Sequence, residues 1–427
     1  MKKIIALLLS LAIMFCVCGC ANNPDNASSE IIEYIYEVET EYEDGTDGTQ
    51  TGSVPDSTQN ASKVESQQSS VSQSGSTTAP KIDYDTVVEV DLCDEIVRSY
   101  LSASNAEQQY LLLKEYSNSR HDSQNLGLSW KSDGSSSYTV YISENADFSN
   151  SYTIKTYGNT LNAGLCVPGK TYYWKVLGEG TSPIAGGKIK INNEPVRFVN
   201  IDGVGNVRDI GGWSTESGKT VAYNKIYRGR RLNDITSQGI SALKYLGMKT
   251  EIDIRGDSDN PYATSGTGLN YNYFHSTAQY DMILNSSSKK QVTTNYKAIF
   301  ALLADEKNYP VYIHCNAGAD RTGTLAFLIN GYLGVSYEDL TRDFELTSFS
   351  ESGKRWRGAG YGGTFSSNDT KMEAPYEYVT WGELYKRMMN EHGTGDGKLS
   401  SAIENYLVNY IGVPKAQLES MKSIMLK

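Results

Sequence analysis

The sequence predicts two folded regions: an all-β sandwich over residues 84–197, and an α/β fold of layered sheet and helices over residues 198–427. Three observations support this division. The first region contains short β-rich runs separated by turn residues, such as SYTVYIS and KTYYWKVL. In the second, a helical pattern at residues 237–246 precedes a strand at residues 249–254, and another apolar strand, VYI, leads into a glycine-containing loop and an apolar helix.

The N-terminus has the pattern of an export signal. Lys2 and Lys3 precede an apolar run, and small residues follow it, so residues 1–20 are predicted to be a signal peptide. The run Val17-Cys18-Gly19-Cys20 resembles the lipobox of bacterial lipoproteins. That resemblance implies an acylated Cys20 and attachment to the extracellular face of the bacterial cell membrane. An ordinary signal peptide and an uncleaved anchor are the alternatives.

Most of the negative charge lies between the signal and the folded regions. The 427 residues include 39 Lys and Arg against 50 Asp and Glu, a formal charge of −11. Residues 21–83 alone hold twelve acids and two bases, and from residue 45 to 79 they are mainly Ser, Thr, Gln and Gly. We therefore predict a disordered acidic tether over residues 21–83. The rest is close to neutral, which argues against sequence-independent nucleic-acid binding.

The first folded region resembles a fibronectin type III module. Trp130 lies on its first clear strand, and the run PGKTYYW at residues 168–174 places a Tyr after a Pro-Gly turn. In that family a core Trp packs between the sheets and such a Tyr closes a corner. A predicted helix at residues 105–116 is an element that the usual module lacks. Modules of this type space, dock or bind.

The chain has six cysteines, and they divide into groups. Cys16 and Cys18 leave with the signal peptide, and Cys20 belongs to the lipobox. Cys93 and Cys166 either pair in the exported protein or remain two buried thiols. The remaining one is Cys315.

The loop after the VYI strand has the features of an anion site. A strand, a tight loop and a helix start direct successive backbone N–H groups at one point, and the helix N-terminus adds partial positive charge. Cys315 and Arg321 bracket five residues of this loop. The amides and the guanidinium stabilise a thiolate, and the planar fork of Arg321 holds two phosphate oxygens. The predicted phosphate-binding residues are Asn316, Ala317, Gly318, Ala319, Asp320 and Arg321.

The loop resembles that of the cysteine-dependent protein tyrosine phosphatases, His-Cys-x5-Arg-Thr. The blocks NVRDIGG, IYRG, LGMKTEIDIR and DFELT resemble those of the atypical bacterial branch of tyrosine and lipid phosphatases, and together they cover residues 199–427. The resemblance implies that Cys315 forms a phosphocysteine that water then hydrolyses, with no cofactor and no metal. On the same reading, Thr322 donates its hydroxyl to the Cys315 sulfur and His314 orders the loop.

The sequence offers more than one candidate for the general acid. Asp320 occupies the loop position that the atypical branch is thought to use, while Asp281, Asp257 and Asp259 are candidates for a separate acid-bearing loop. Two other carboxylates, Asp253 and Asp209, are expected to be structural and to hold Arg255 and Arg208.

One departure from the family pattern bears on the substrate. Ala319 stands where the family loop commonly has a Lys that favours multiply phosphorylated lipids. Arg208, Arg228, Arg230 and Arg231 are candidates for a substitute cation. A Gly- and Ser-rich insertion at residues 348–375 carries Lys354, Arg355, Trp356 and Arg357, and it is either a basic lid or a disordered surface loop.

The function predicted from these features is hydrolysis of protein phosphotyrosine. Two alternatives remain: a phosphatase for inositol phosphates or phosphoinositides, and a surface protein that binds a phosphorylated ligand with little turnover. The expected partners are a phosphorylated protein or a small phosphoester, together with the membrane through Cys20.

Overall fold

A computed structural model describes residues 62–65, 82–117, 119–122, 126–192, 197–256, 265–269, 272–275, 289–357 and 381–427. All of them belong to one compact unit, Thr58–Lys427. The predicted signal peptide with Cys20, most of the predicted tether, and Asp257, Asp259 and Asp281 lie outside the described residues. In the described part of the chain, no helix is both long and apolar enough to cross a membrane.

Two sheets form the N-terminal region. The strands are β1 (Ser62–Glu65), β2 (Val87–Val90), β3 (Leu126–Ser129), β4 (Tyr138–Ser143), β5 (Tyr152–Thr156), β6 (Thr160–Ala163), β7 (Thr171–Leu177) and β8 (Pro183–Ile191). One sheet has the order β2-β8-β7-β4-β5 and the other β1-β3-β6. Their shared core includes Val140 on β4, Trp174 on β7 and Leu128 on β3. Alternation along β4 buries Tyr138, Val140 and Ile142, as the sequence predicts.

Strand β1 lies within the segment predicted to be a disordered tether. It pairs in parallel with β3, so that Val64 is opposite Leu128. The edge of β3 that does not pair with β6 accommodates it, because an edge strand presents N–H and C=O groups that another extended segment can satisfy.

Two helices precede β3. Asn105 caps α2 (Ala106–Tyr116), which agrees with the predicted helix at residues 105–116, and Asp94 caps α1 (Glu95–Ser102), which was not predicted. Their buried side chains, including Tyr100, Tyr110 and Leu113, pack into the core of the C-terminal region and not into the sandwich core. These helices therefore pack with the α/β region, although the predicted boundary places residues 84–197 together.

The C-terminal region is a mixed sheet covered by helices. Its strands are β9 (Arg197–Phe198), β10 (Arg208–Asp209), β11 (Ile226–Gly229), β12 (Thr250–Asp253), β13 (Asn272–His275) and β14 (Val311–His314), in the order β13-β12-β14-β11-β10-β9. Strands β13, β12, β14 and β11 are mutually parallel, so their carboxyl ends meet at one edge. In parallel α/β sheets this edge is where ligands bind.

The helices lie around this sheet. They are α3 (Ser237–Tyr245), α4 (Lys289–Leu303), α5 (Asp320–Tyr332), α6 (Tyr337–Glu345), α7 (Trp381–His392), α8 (Leu399–Asn405) and α9 (Lys415–Met425). Short 3-10 helices occur at Leu232–Asp234, Glu306–Asn308 and Leu346–Phe349, and a π-helix follows α8 at Tyr406–Ile411. Central strand β14 is fully buried and α5 is buried from Thr322 to Tyr332. The predicted helix at residues 237–246 and strand at residues 249–254 correspond to α3 and β12.

A third apolar cluster joins the sandwich to the α/β region. Tyr152 and Leu165 from the sandwich pack with Val199, Val207 and Leu243. Apolar area of this kind stabilises the contact between the two regions in proportion to the area removed from water.

Candidate active site

The predicted anion loop lies between β14 and α5, at the carboxyl edge of the sheet. Strand β14 ends at His314 and α5 begins at Asp320, so residues 315–319 form a tight connection. Gly318 has φ +67°, and a Cβ there would lie 2.2 Å from the carbonyl carbon of Gly229. Only glycine fits this position, because it combines a left-handed backbone with close approach of β11. The loop therefore leads directly into the positive end of a thirteen-residue helix.

The predicted nucleophile and the predicted phosphate-binding arginine lie in this loop and in the helix turn that follows it. Cys315 is a thiol and is 2% exposed, and Arg321 lies half-buried in the first turn of α5. Two buried oxygens, Thr322 Oγ1 and Asn316 Oδ1, have no hydrogen-bond partner among the described residues. Buried polar atoms are usually satisfied, so unsatisfied ones at an anion loop are consistent with a site that completes its hydrogen bonds when a ligand is bound.

Three charged residues behind the loop form a cluster that we call the buried cluster: Arg208, Arg228 and Asp343. Arg228 Nη2 donates to the carbonyls of Gly318 and Ala319 at 2.8 and 3.0 Å, and its Nη1 donates to Asp343. Arg208 donates from Nε to Asp343 Oδ1 at 2.9 Å. No side chain in the cluster is more than 6% exposed. The cluster binds these two carbonyls behind the loop, so the backbone N–H groups of the loop are left to bind an anion.

The electrostatics of the buried cluster lower the pKa of Asp343 and that of Arg228, and both groups remain charged at neutral pH. Burial alone would raise the pKa of Asp343, but the two guanidinium groups reverse this effect and hold the pKa below its usual value. Burial and the neighbouring Arg208 lower the pKa of Arg228 to about 10. Arg228 is therefore still protonated at neutral pH.

This cluster corrects one expectation. Arg208 was predicted to be held by Asp209, but it pairs with Asp343. Asp209 instead accepts backbone N–H groups from Gly211 and Asn224 at 2.9 and 2.7 Å. The two residues alternate across strand β10, so their side chains point to opposite faces of the sheet. The other expected pair, Asp253 with Arg255, is present at 2.7 Å.

Asn206 and Ser352 hold a further carbonyl of the loop, and Asn206 is itself bonded to Arg208 of the buried cluster. Asn206 Nδ2 donates to Ala317 O at 3.0 Å, and Ser352 Oγ donates to the same carbonyl at 2.7 Å. Asn206 has φ +57°, a left-handed conformation that Asn tolerates better than most residues. Its backbone N–H donates to Asp122 Oδ2 at 2.9 Å. Asp122 lies between β2 and β3 of the sandwich, so residues far apart in sequence support one loop carbonyl.

His314 uses both ring nitrogens within the protein. Nε2 lies 2.8 Å from Glu251 Oε1, and Nδ1 lies 3.2 Å from Cys315 O. The side chain is fully buried. This is the arrangement expected of a residue that orders the loop, because both nitrogens are already engaged.

Asp320, the first acid candidate, is held by an arginine that the sequence did not connect with it. Arg355 donates from Nε to Asp320 Oδ1 at 2.7 Å and from Nη2 to Oδ2 at 2.9 Å. The backbone N–H of Arg355 donates to Ser348 Oγ, and that hydroxyl donates to Arg355 O. Both oxygens of the carboxylate therefore accept guanidinium hydrogens. The alternative acids Asp257, Asp259 and Asp281 lie outside the described residues.

The segment that carries Arg355 is anchored on helix α2, which lies between β2 and β3 of the sandwich in sequence. The next residue, Trp356, packs edge-on against Tyr110 of α2 with ring centroids 5.3 Å apart. Arg357 pairs with buried Glu345 at 2.7 Å and donates to Gln109 at 2.6 Å. Part of the insertion predicted to be a lid or surface loop is thus buried against the fold.

Comparison with known proteins identifies the family. Residues 199–427, more than half of the chain, match the model of the tyrosine phosphatase family. The chain belongs to this family. A Cupriavidus necator protein that is named as a candidate tyrosine-protein phosphatase is 23% identical over 175 residues, which are 36% of this chain and 62% of that relative. The matched region is thus less than two thirds of the relative's length.

The family match begins after α1 and α2, yet these helices complete the phosphatase core. Asp343 and Asn206 lie in blocks on which the resemblance depends, so the sequence carried a signal for them even though it did not show their contacts. Asp122 and Arg355 had no such signal.

Charged residues at the mouth of the phosphatase loop form a second group that we call the rim cluster: Asp320, Arg355, Arg230 and Glu351. Arg230 pairs with Glu351, and their side chains are 31% and 39% exposed. Arg120 approaches the other oxygen of Glu351 at 3.6 Å. Next to this pair, Arg231 donates its backbone N–H to Asn316 O at 3.3 Å. Among the predicted substitute cations, Arg208 and Arg228 are thus behind the loop and Arg230 and Arg231 are at its mouth.

Within the residues that the structure describes, no group of three or more His, Cys, Asp or Glu side chains could hold a metal ion.

Proposed function

We propose that this protein hydrolyses phosphotyrosine in proteins, through a phosphocysteine formed on Cys315. The observation that carries the proposal is the placement of Cys315 and Arg321 in one tight loop at the N-terminus of a buried helix, in a chain of the tyrosine phosphatase family. A site that only bound phosphate would need the amides and the arginine but no nucleophile.

The proposed reaction has two steps. The Cys315 thiolate attacks phosphorus, an S–P bond forms, and the bond from phosphorus to the tyrosyl oxygen breaks while Asp320 delivers a proton to that oxygen. Water then attacks phosphorus, the S–P bond breaks, and the carboxylate of Asp320 takes a proton from the water. Arg321 and the loop amides stabilise the charge that spreads over the equatorial oxygens. Thr322 Oγ1 donates to the sulfur as the thiolate leaves.

The ion pair with Arg355 sets a condition on this role for Asp320. A proton on either carboxyl oxygen competes with a guanidinium N–H that now occupies that oxygen. Proton delivery therefore requires one of these two hydrogen bonds to give way when the substrate binds. The side chain of Asp320 is 16% exposed and that of Arg355 is 8% exposed, so water or substrate can replace the lost hydrogen bond mainly on the Asp320 side.

The preference for a tyrosine phosphate over a multiply phosphorylated lipid rests on Ala319. This position, where the family loop commonly has Lys, holds a fully buried Ala whose carbonyl accepts from Arg228. No residue of the loop itself supplies a second cation besides Arg321.

The setting of the enzyme is part of the proposal. An acylated Cys20 would anchor the protein on the outer face of the bacterial membrane, and the acidic segment that follows would act as a tether. The two-sheet region is proposed to be of the fibronectin type III kind. Support comes from buried Trp130, and from Tyr172, whose hydroxyl accepts the backbone N–H of Val167 at 2.8 Å, as a corner tyrosine would.

The test is turnover of an aryl phosphate in the presence of a chelator. We expect hydrolysis by the wild type, complete loss in Cys315→Ser, and unchanged activity in Cys166→Ser, which alters a buried thiol in the sandwich core. A wild type that binds phosphotyrosine without hydrolysing it would favour the ligand-binding alternative and reject the enzyme.

A further inference from the structure

A groove of about 520 Å³ lies between the sandwich and the phosphatase domain. Tyr152 and Ile154 of strand β5 line it on the sandwich side, together with residues 199–207. Gln238 of α3 also lines it and donates directly to the Tyr152 hydroxyl at 2.7 Å. This volume lies within the range of about 300–1,000 Å³ that is typical of ligand-binding clefts.

One end of the groove adjoins the phosphate loop. Asn206 lines the groove and donates to Ala317 O of the loop at 3.0 Å. Glu351 also lines it, and the next residue, Ser352, donates to the same carbonyl at 2.7 Å. The groove therefore adjoins the loop on the side of the Ala317 carbonyl, where Glu351 belongs to both the groove lining and the rim cluster, and it extends from there to the sandwich.

The lining indicates what kind of molecule the groove would bind. A small phosphoester held by the loop would have no atoms to reach Tyr152, Ile154 or Gln238. The walls combine side-chain amides with aliphatic groups, which suits a polypeptide. The charged lining residues are Asp122, Asp202, Glu351 and Arg120. Arg120 pairs with Asp122 and Glu351, and Arg230 also pairs with Glu351. The exposed carboxylate of Asp202 is therefore the charge that favours a basic side chain over an acidic one.

We propose that this groove binds the polypeptide that flanks the phosphotyrosine, with a preference for basic flanks, and that the sandwich is thereby part of the substrate site. This inference rests on the proposed function. It gives the sandwich, whose role the sequence left open, a direct part in substrate recognition.

The test compares two substrates with the same leaving group: free phosphotyrosine and a phosphotyrosine peptide with lysines on both sides. We expect the wild type to show a higher kcat/KM for the peptide. Ile154→Trp and Gln238→Trp each place a large side chain in the groove, one from β5 and one from α3, and each should lose at least about ten times more kcat/KM on the peptide than on free phosphotyrosine.

Matched controls lie on the same two elements. Thr153→Trp and Ser241→Trp place the same side chain at exposed positions of β5 and α3 that do not line the groove, and they should leave both substrates unchanged. Equal losses on both substrates in the groove variants would show that these residues only support the fold and would overturn the inference. So would a wild type that does not prefer the peptide. A wild type that hydrolyses neither substrate would instead reject the proposed function.

Discussion

The buried cluster and the rim cluster contact the same loop but differ in their exposure to solvent. Arg208, Arg228 and Asp343 are at most 6% exposed, and they bond to one another and to loop carbonyls. In the rim cluster, exposure rises from 8% at Arg355 to 39% at Glu351. The first group is sealed from water and the second is in contact with it.

This difference in exposure distinguishes the residues that hold the loop in place from the residues that are proposed to take part in the reaction. Removing one partner of a buried ion pair leaves an uncompensated charge in a medium of low dielectric constant, so the buried cluster has a single arrangement. Partly exposed pairs exchange with water at little cost. The proposed acid, Asp320, belongs to the less exposed pair of the second group, at 16% exposure, and it is still more accessible than Asp343 of the buried cluster, at 6%.

The largest expected effect comes from breaking the buried cluster. Asp343→Ala leaves two buried guanidinium groups without their carboxylate, and we expect the free energy of unfolding to fall by about 3–5 kcal/mol, with activity lost as well. Helix α6 offers a matched control in Asp339, which pairs with Arg342 at a site where the side chains are 23% and 28% exposed. Asp339→Ala should cost about 1 kcal/mol or less. Urea denaturation measures the free energy of unfolding of the wild type and of both variants.

The acid dependence of stability adds a second readout for Asp343. Its pKa is held below the usual value, so its contribution to stability is complete above about pH 4, where the unfolded-chain carboxyl is ionised, and is lost as pH falls toward the lower folded pKa. Asp343→Asn should therefore show a shallower loss of stability in acid than the wild type. Equal slopes, or equal losses in the Asp343 and Asp339 variants, would contradict the contrast between the clusters.

The features predicted from the sequence are local. The strand before the loop, the loop glycine and the helix start depend on neighbouring residues, so periodicity and composition reveal them. The helix after the loop begins at Asp320, within the predicted phosphate-binding residues, because the helix N-terminus itself forms part of the anion site. Cys315 and Arg321 follow from the same short run.

The features that were missed depend on contacts between distant segments. Arg208 pairs with Asp343, 135 positions away, while a carboxylate stands beside it in sequence at Asp209. Asp122 reaches Asn206 across 84 positions that include most of the sandwich. Nothing in a local pattern distinguishes these partners from other acids. The packing of α1 and α2 into the phosphatase core was missed for the same reason.

The second expected effect concerns the coupling of Arg355 to Asp320. If Asp320 is the acid, Asp320→Asn should slow hydrolysis of phosphotyrosine by about 100-fold and that of an activated nitrophenyl phosphate far less, because only the poor leaving group needs the proton. Arg355→Met should slow hydrolysis of phosphotyrosine by about tenfold and that of the nitrophenyl phosphate far less, since it removes the two hydrogen bonds that orient the carboxyl group.

A double-mutant cycle decides whether Arg355 acts through Asp320. The variant with both substitutions should be no slower than Asp320→Asn alone, since orienting an absent acid has no effect. Arg387→Met, which removes a guanidinium from an exposed pair on α7, serves as the control and should leave both rates unchanged. If the losses in rate of the two single variants multiply in the double variant, Arg355 acts independently of Asp320. If Asp320→Asn slows both substrates equally, the general acid is instead Asp257, Asp259 or Asp281.

The smallest expected effect tests the electrostatics of the rim. Glu351 neutralises Arg230 and lies near Arg120, so Glu351→Gln leaves more positive charge beside the loop. We expect kcat/KM for an anionic phosphoester to rise by roughly twofold at low ionic strength and to return to the wild-type value at high salt, where charges near the surface are screened. Glu144→Gln on the sandwich breaks a pair of similar exposure with Lys170 and should change neither value. A gain that persists at high salt would mean that Glu351 acts by contact with the substrate and not by its charge.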